Sequence, residues 1–324
     1  MPVPPLLVIA GPTATGKTGL SIRLAEALAA DGIPAEIISA DSRQVYRGLD
    51  IGTAKATPEE RARVVHHGID LVEPDEPYTV ADFRAHALDA LRVLGRRGGI
   101  GILAGGTGFW LRAVMAGIDT DALPHDPLAR ASLEAALREQ GLEALADRLR
   151  SLAPSLAGRT DLRNPRRVVR ALEIATVRGD EPPPAPLGYG APTLGVQLVM
   201  DPAEHRRRIH QRARQQFANG LVEEARSLRD RFDPALPAFS AIGYHESWAF
   251  LDGARTLEEA IALDALHNEQ FAKRQKTWFR REPALLVVDA TTDPGAAVVD
   301  ATGGPRPAVL ALVDRWLADQ GDPG

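Results

Sequence analysis

The sequence contains no cysteine among its 324 residues. This absence excludes disulfides, thiolate metal sites and a cysteine nucleophile, and it agrees with a reducing compartment. The chain also has no apolar run of the roughly 20 residues that a membrane-spanning helix needs. Its first residues show neither the basic start nor the small-residue cleavage site of a signal peptide. We therefore expect a cytoplasmic protein without a membrane partner.

The overall composition is that of a globular protein. Hydrophobic residues make up 44% of the chain and charged residues 25%, which suits one large domain or two modest ones. The formal net charge of -5 argues weakly against nucleic-acid binding as long as the charge is spread evenly. Nothing in the sequence indicates an obligatory protein partner, and we expect a monomer.

An apolar segment at residues 6–10 is followed by the sequence GPTATGKT. The spacing G-x-x-x-x-G-K-S/T, between a strand and a helix over 17–30, is typical of a P-loop. Backbone amides of residues 13–18 and the helix N-terminus are expected to face phosphate oxygens. Lys17 would add a point charge, and the Thr18 hydroxyl would bind Mg²⁺. The predicted phosphate-binding residues are Gly11, Pro12, Thr13, Ala14, Thr15, Gly16, Lys17 and Thr18.

The apolar segment GIGILA at residues 99–104, a predicted strand, is not followed by an acid. A P-loop triphosphatase normally has an aspartate there for Mg²⁺, but the next residues are Gly-Gly-Thr. The strand AEIISA at 35–40 is instead followed by Asp41, and no N-K-x-D guanine signature occurs. The pattern predicts a loop that holds phosphates as a leaving group rather than one that hydrolyses a triphosphate.

The order of strands and helices predicts an α/β protein. We expect a P-loop NTPase-like parallel sheet core with helices on both faces and an all-helical insertion. The insertion is predicted at 119–190, between core parts at 1–118 and 191–324. The remaining predicted elements are a helix at 81–94, insertion helices at 126–152 and 164–179, a strand at 194–200, helices at 203–230 and 256–278, a strand at 285–289 and a final helix from Ala308.

Seven motifs follow one another along the chain. They are GPTATGKT, DSRQVYRGLDIGTAK, HHGID, GGTGFW, RALE, AIGYHE and AKRQKTWFRR. In this order they resemble the bacterial tRNA dimethylallyltransferases (tRNA isopentenyltransferases) over roughly residues 6–281. The chain departs from the family's usual sequence at Gly68, at 109–110 and at 161–164.

The resemblance implies a prenyl transfer to tRNA. The donor would be dimethylallyl diphosphate, and the acceptor would be the exocyclic N6 amine of the adenosine 3′ of the anticodon, tRNA position 37. The P-loop would hold the diphosphate, with Mg²⁺ as the cofactor, and the partner would be the tRNA anticodon stem-loop.

Three other functions remain open. An adenylate isopentenyltransferase performs the same chemistry on a free nucleotide, but the insertion and the basic segments favour tRNA. A P-loop small-molecule kinase is disfavoured by the missing acid. A non-catalytic RNA-binding ATPase module is disfavoured by the order of the motifs around Asp41.

The residues after the second strand are candidates for the acceptor site. An adenine amine is a weak nucleophile because its lone pair is delocalised, so it needs a base, and Asp41 is the candidate. The structural alternative for Asp41 is a turn cap. Ser42, Arg43 and Gln44 would contact the adenine and its neighbours, and Gln44 suits a bidentate bond to the adenine edge. For Thr107, in GGTG, the resemblance favours a contact with tRNA or diphosphate, and the structural alternative is a capping threonine in a tight turn.

Three segments are strongly basic: 159–170, 204–214 and 273–281. They predict a polarised surface for RNA phosphates, although each could be a solvated face. The resemblance suggests that one arginine of the second segment reaches the diphosphate, and we choose Arg212 over Arg208 or Arg214. The predicted catalytic residues are Asp41, Lys17, Thr18 and Arg212. The predicted tRNA contacts are Asp41, Ser42, Arg43, Gln44, Thr107, Arg130, Arg167, Arg170, Lys273, Arg274 and Gln275.

Two pairs of neighbouring residues could be read as functional, but we expect structural roles for most of them. His66 and His67 lack zinc-type spacing with other ligands, so we expect a structural role. Of Trp278 and Phe279, we expect one to lie in the core, because aromatic side chains on a helical stripe usually pack inward.

Overall fold

The computed structural model describes residues 3–118, 126–181, 185–282 and 284–291. Its strands are β1 Leu6–Ala10, β2 Ala35–Ser39, β3 His66–His67, β4 Ile100–Gly105, β5 Thr193–Val199 and β6 Leu285–Asp289. They form one six-stranded sheet in the order β3-β2-β4-β1-β5-β6, and every pairing is parallel. The predicted fold class is confirmed. The helix predicted from Ala308 lies outside the described residues.

Helices connect the strands. They are α1 Lys17–Ala30, α2 Pro58–Arg63, α3 Val80–Gly95, α4 Gly108–Met115, α5 Pro127–Leu152, α6 Pro154–Ala157, α7 Pro165–Arg178, α8 Pro202–Ala218, α9 Leu221–Arg229, α10 Tyr244–Leu251 and α11 Leu257–Phe279. A short 3₁₀ helix, Pro237–Ser240, precedes α10. Over the described ranges, none of the helices combines the length and the apolar character needed to cross a membrane.

The sheet is buried on both faces. Side chains alternate along a strand, so Leu6 and Val8 of β1 join one apolar cluster while Leu7 and Ile9 join another. The first cluster includes side chains of α3 and α4, and the second includes side chains of α1. This two-sided burial explains why the strand sequences are almost continuously apolar.

The chain divides into two compact units. One contains Met1–Met115 and Tyr189–Gly324, and the other is Ala116–Gly188. The second unit contains α5, α6 and α7, which pack around an apolar cluster that includes Leu149 and Leu172. The second unit therefore has its own hydrophobic core.

Two predicted helices differ in the structure, and four of the helices described above were not predicted. The predicted helix 203–230 is two helices, α8 and α9, because Gly220 takes a left-handed φ of 101°. The predicted helix 126–152 is kinked at Gly141, which has φ 81° and ψ 170°. Helices α2, α4, α6 and α10 were missed, since four to eight residues give too little periodicity for a prediction from spacing.

A buried lysine holds the segment that follows β2. Lys55 is 7% exposed, and its Nζ donates to the Tyr46 carbonyl at 2.8 Å and to Asp50 and Asp70 carboxylates at 2.6 Å each. Arg61 also donates to Asp70 at 2.6 Å. Burial acts to raise the pKa of Asp70, but the bonds from Lys55 and Arg61 outweigh it and hold that pKa below its usual value. The segment is thus tied together by paired charges.

We predict that Lys55→Met lowers the free energy of unfolding by about 2 kcal/mol, because Asp70 loses one of its two counter-ions and the Tyr46 carbonyl loses its bond to the buried ammonium. Chemical denaturation measures the loss. The control is Arg63→Met, whose ion pair with Glu26 is exposed and should contribute about 0–1 kcal/mol. Equally small losses in the two variants would contradict a stabilising role for the buried pair.

Candidate active site

A cavity of about 350 Å³ lies at the carboxyl end of β1, β2 and β4. This edge is where parallel α/β sheets bind ligands, because the loops after the strands converge there. Its wall includes the P-loop, the segment after β2, the Gly-Gly-Thr after β4, and residues of α8 and α11. The predicted site residues that line it are Thr13, Lys17, Thr18, Asp41, Ser42, Arg43, Gln44, Thr107, Arg212, Arg274 and Gln275.

The P-loop turns sharply between β1 and α1. Gly16 takes φ 86° at the start of α1, and Ala14 takes φ 62°. The Thr15 hydroxyl donates to the Pro12 carbonyl at 2.9 Å and closes the turn. The Lys17 ammonium donates to the same carbonyl at 2.7 Å, so it lies over the loop. The loop thus brings the N-terminus of α1 to the cavity, which favours an anion.

Three side chains from distant helices hold Thr13. Its amide donates to Gln275 Oε1 at 2.9 Å, and its carbonyl accepts from His205 Nε2 at 2.8 Å. Its hydroxyl accepts from Arg212 Nη1 at 2.7 Å. The prediction that the Thr13 amide faces phosphate is therefore corrected, because Gln275 already uses that donor. The position of the P-loop depends on α8 and α11.

The prediction that Gln275 contacts tRNA is also corrected. Its side chain is 6% exposed, and its Nε2 donates to the Gly106 carbonyl at 3.0 Å. Gln275 therefore joins the loop after β1 to the loop after β4. His205, 2% exposed, was missed, since a histidine within an arginine-rich helix gives no signal of a distant backbone partner.

The segment after β2 is ordered by Asp41 and Thr107. Asp41 Oδ1 accepts from the Arg43 amide at 2.8 Å, so the carboxylate caps the turn while it lines the cavity. Thr107 Oγ1 accepts from the Ser42 amide at 3.1 Å, and the Thr107 amide donates to the Ala40 carbonyl at 3.2 Å. The turn-cap role and the cavity position of Asp41 therefore occur together.

Gln44 does not offer its amide to a base in this conformation. Its Nε2 donates to the carbonyls of Thr53 and Ala54, at 3.1 and 3.2 Å. Its Oε1 accepts from the Ser39 hydroxyl at 2.7 Å. A bidentate bond to an adenine edge would require breaking these bonds, so the prediction for Gln44 is corrected to that of a residue that supports the cavity wall.

Arg212 has different surroundings from the neighbouring arginines on α8. Arg208 donates to Glu204 at 2.7 Å and to the Thr291 carbonyl at 3.1 Å, and Arg214 is exposed. Arg212 lines the cavity, and within the described chain its buried Nε has no hydrogen-bond partner. A buried donor without a partner costs free energy, which an anionic ligand in the cavity would recover.

The cavity is electropositive. Its charged lining comprises Asp41 against Lys17, Arg43, Arg212 and Arg274. Burial, followed by the charge of Arg212, lowers the pKa of Lys17 to about 8, while Asp41 acts in the opposite direction. Excess positive charge in a partly buried space favours a multiply charged anion such as a diphosphate.

Other predicted basic residues differ in their surroundings. Arg170 and Arg130 lie 2.7 and 3.6 Å from the carboxylate of Glu173, which is 1% exposed. Both are thus counter-ions of a buried acid, and their contact with tRNA stays a prediction. Arg167 is exposed, as is Lys273. Arg274 is exposed at the cavity edge, 5.7 Å from the Phe271 ring.

The histidine pair and the aromatic pair have structural contacts. His66 Nδ1 donates to the Val64 carbonyl at 2.8 Å, and His67 Nε2 donates to Glu36 at 2.7 Å. In the part of the chain that the structure describes, no group of three acidic, histidine or cysteine side chains could hold a metal. Phe279 is 1% exposed, whereas the half-buried Trp278 lies 4.6 Å below the Arg112 guanidinium.

Fold and site together define a P-loop protein with a cationic cavity at the edge of a parallel sheet, and among the described residues Asp41 supplies the carboxylate in its lining. A family model described as IPP transferase matches residues 44–282. The chain is 45% identical over 283 residues to the tRNA dimethylallyltransferase of Thermus thermophilus, covering 86% of this chain and 91% of the relative. It is 44% identical over 299 residues to the tRNA dimethylallyltransferase of Anaeromyxobacter dehalogenans, covering 90% of this chain and 97% of the relative. The chain belongs to the IPP transferase family.

Solved structures agree with this assignment. A tRNA isopentenylpyrophosphate transferase from Bacillus halodurans is 36% identical with a TM-score of 0.68, covering 98% of this chain and 99% of that chain. A eukaryotic dimethylallyltransferase, described as acting on tRNA, is 25% identical with a TM-score of 0.81, and the match covers 98% of this chain and 80% of that chain. The family predicted from the motif order is confirmed.

We predict that the affinity for inorganic diphosphate falls as the pH rises above about 8, where Lys17 loses its proton in the free protein. A bound anion stabilises charged Lys17, so binding takes up a proton there, and affinity falls by up to about tenfold per pH unit. Calorimetric titrations at several pH values measure this effect.

Lys17→Met is the control, because it retains only the titration of the ligand itself. The variant should bind more weakly near neutral pH, and the difference from the unaltered protein should shrink as the pH rises. A difference that is constant from neutral to alkaline pH would contradict the role of the Lys17 charge.

Proposed function

We propose that the protein transfers a dimethylallyl group from dimethylallyl diphosphate to the N6 amine of the adenosine at tRNA position 37, with release of diphosphate. The observation that carries the proposal is the electropositive P-loop cavity with Asp41 in its wall. Membership of the IPP transferase family supports it, since the relatives bear the name tRNA dimethylallyltransferase.

The cavity offers a group for each part of the transfer. The N6 lone pair attacks C1 of the dimethylallyl group, the bond between C1 and the diphosphate oxygen breaks, and the N6 proton passes to the Asp41 carboxylate. Lys17 and Arg212 hold the departing diphosphate, whose negative charge grows as the bond breaks. The adenine enters the cavity after leaving the stack of the anticodon loop, at a cost that is least for an unpaired base.

The residues present also fit Mg²⁺. Thr18 offers an exposed hydroxyl at the start of α1, and Asp41 offers a carboxylate on the same cavity. Mg²⁺ commonly takes few protein ligands and completes its shell with phosphate oxygens and water. In our proposal Thr18 would hold the ion, which would neutralise part of the charge of the leaving diphosphate.

The second unit carries exposed arginines that suit an RNA backbone. Arg163 is 96% exposed at its side chain, and Arg166 and Arg167 are exposed too. They precede or begin α7, on the segment 159–170. In our proposal this unit contacts the phosphates of the anticodon stem chiefly through these three arginines, which are exposed, whereas Arg130 and Arg170 are half-buried.

We predict that the protein, with Mg²⁺ and labelled dimethylallyl diphosphate, places label on an unmodified anticodon stem-loop at the adenine 3′ of the anticodon. Asp41→Asn should lower kcat by about 10²–10⁴ because the general base is lost. The control Asp75→Asn, at an exposed aspartate, should leave kcat unchanged.

Other outcomes of the transfer assay identify a different enzyme. Label on free AMP, without label on RNA, would indicate an adenylate isopentenyltransferase. ATP turnover without any prenyl transfer would indicate a kinase or an ATPase, and it would refute the proposed function.

We predict that replacing Arg163, Arg166 and Arg167 together by Gln weakens stem-loop binding and lowers its salt dependence. The slope of log affinity against log salt should fall by about one for each lost phosphate contact. Fluorescence anisotropy at several salt concentrations measures the slope. The matched control replaces three exposed arginines of α5, Arg138, Arg148 and Arg150, by Gln and should leave the slope unchanged. Equal effects in both variants would refute the assignment of this surface.

A further inference from the structure

The turn formed by residues 50–54 is part of the cavity wall, and a carboxylate from another helix holds it. Gly52, Thr53 and Ala54 line the cavity. Glu224 of α9 accepts from three successive amides of the turn: Oε2 from Asp50 at 3.2 Å and Ile51 at 2.8 Å, and Oε1 from Gly52 at 3.1 Å. Three backbone amides that donate to one carboxylate fix the conformation of the turn more strictly than packing alone does.

Two further side chains also hold the 50–54 turn or its Glu224 partner. Gln216 of α8 donates from Nε2 to the carbonyls of Ile51 and Gly52, at 2.5 and 2.9 Å. The Tyr244 hydroxyl donates to Glu224 Oε1 at 2.7 Å. A Cβ added to Gly52 would lie 2.7 Å from the Tyr244 ring, so the turn has no room to move toward α10. Amides and carbonyls of the same two residues are thus bonded from two helices.

The held turn is connected to the candidate acceptor site. The carbonyls of Thr53 and Ala54 accept from Gln44 Nε2, and Gln44 Oε1 accepts from the Ser39 hydroxyl. Gln44 belongs to the segment that begins at Asp41, whose own turn is closed by Arg43. A displacement of the 50–54 turn would therefore move Gln44 and, with it, the segment that carries the proposed base.

We propose that Glu224 is a positioning residue that sets the place of the Asp41–Gln44 segment against the adenine, acting through the 50–54 turn. The inference rests on the proposed function. All four partners of the carboxylate donate hydrogen bonds to it, so an amide in its place would turn an NH₂ group toward donors. The side chains that hold Thr13 of the P-loop are Gln275, His205 and Arg212, and the bonds of Glu224 go to the 50–54 turn and Tyr244 instead, so a change at Glu224 removes none of these P-loop contacts.

The test is Glu224→Gln, with Glu223→Gln as the control that makes the same change of charge at an exposed neighbouring position. Kinetics with the stem-loop at saturating donor, and calorimetric titration with inorganic diphosphate, measure the two sites separately. For Glu224→Gln we expect kcat/KM for the stem-loop to fall by about ten- to a hundredfold, since small misplacements of reacting groups cost this much. The Kd for diphosphate should stay within about twofold in both variants, because neither changes a P-loop contact.

A second variant, Gln216→Leu, loosens the same turn from α8 and should show the same split between the two sites. The double variant should lose less than the two single losses combined, because both act on one turn. Gln216→Leu also carries the test if Glu224→Gln does not fold.

Two results would overturn the inference. One is unchanged stem-loop kinetics in a folded Glu224→Gln or Gln216→Leu variant, and the other is an equal loss of stem-loop activity and diphosphate affinity. A wild-type protein that transfers no label to RNA would instead refute the proposed function, and the inference would fall with it.

Discussion

The phosphate loop is held in place by three hydrogen bonds to a single residue, Thr13. Its amide, carbonyl and hydroxyl are bonded to Gln275, His205 and Arg212, which lie 262, 192 and 199 residues further along the chain. A buried amide or carbonyl left without a partner costs about 1–3 kcal/mol, so the loop and the two C-terminal helices stabilise one another. One of these bonds also places the guanidinium of Arg212 on the cavity.

The parallel sheet explains why these groups meet. The carboxyl ends of β1, β2 and β4 lie side by side, so the P-loop, Asp41 and Thr107 converge although they are far apart in the sequence. The same convergence collects cations around one acid in a chain of net charge -5. Local charge, rather than the net charge, therefore decides that the cavity suits a diphosphate.

Several residues both hold the local backbone and line the cavity. Asp41 caps a turn and faces the cavity, and the cavity-lining Gln44 ties its segment to the 50–54 turn. The family departure at Gly68 has a physical basis, because φ is 79° there and an added Cβ would lie 2.6 Å from the Ser39 carbonyl. A residue with a Cβ at this position would need a different local backbone.

Local patterns in the sequence determined the strand, P-loop and helix at the N-terminus, the acid after β2 and the order of motifs that marks the family, because each depends on residues close in the chain. Only the tertiary structure decided that Arg212 rather than Arg208 or Arg214 lines the cavity, and that Gln275 and Gln44 bond to backbone. It also decided that Arg130 and Arg170 pair with a buried acid. The spacing of an arginine or a glutamine cannot show its partner, since the partner is brought near by helices and strands that are distant in sequence.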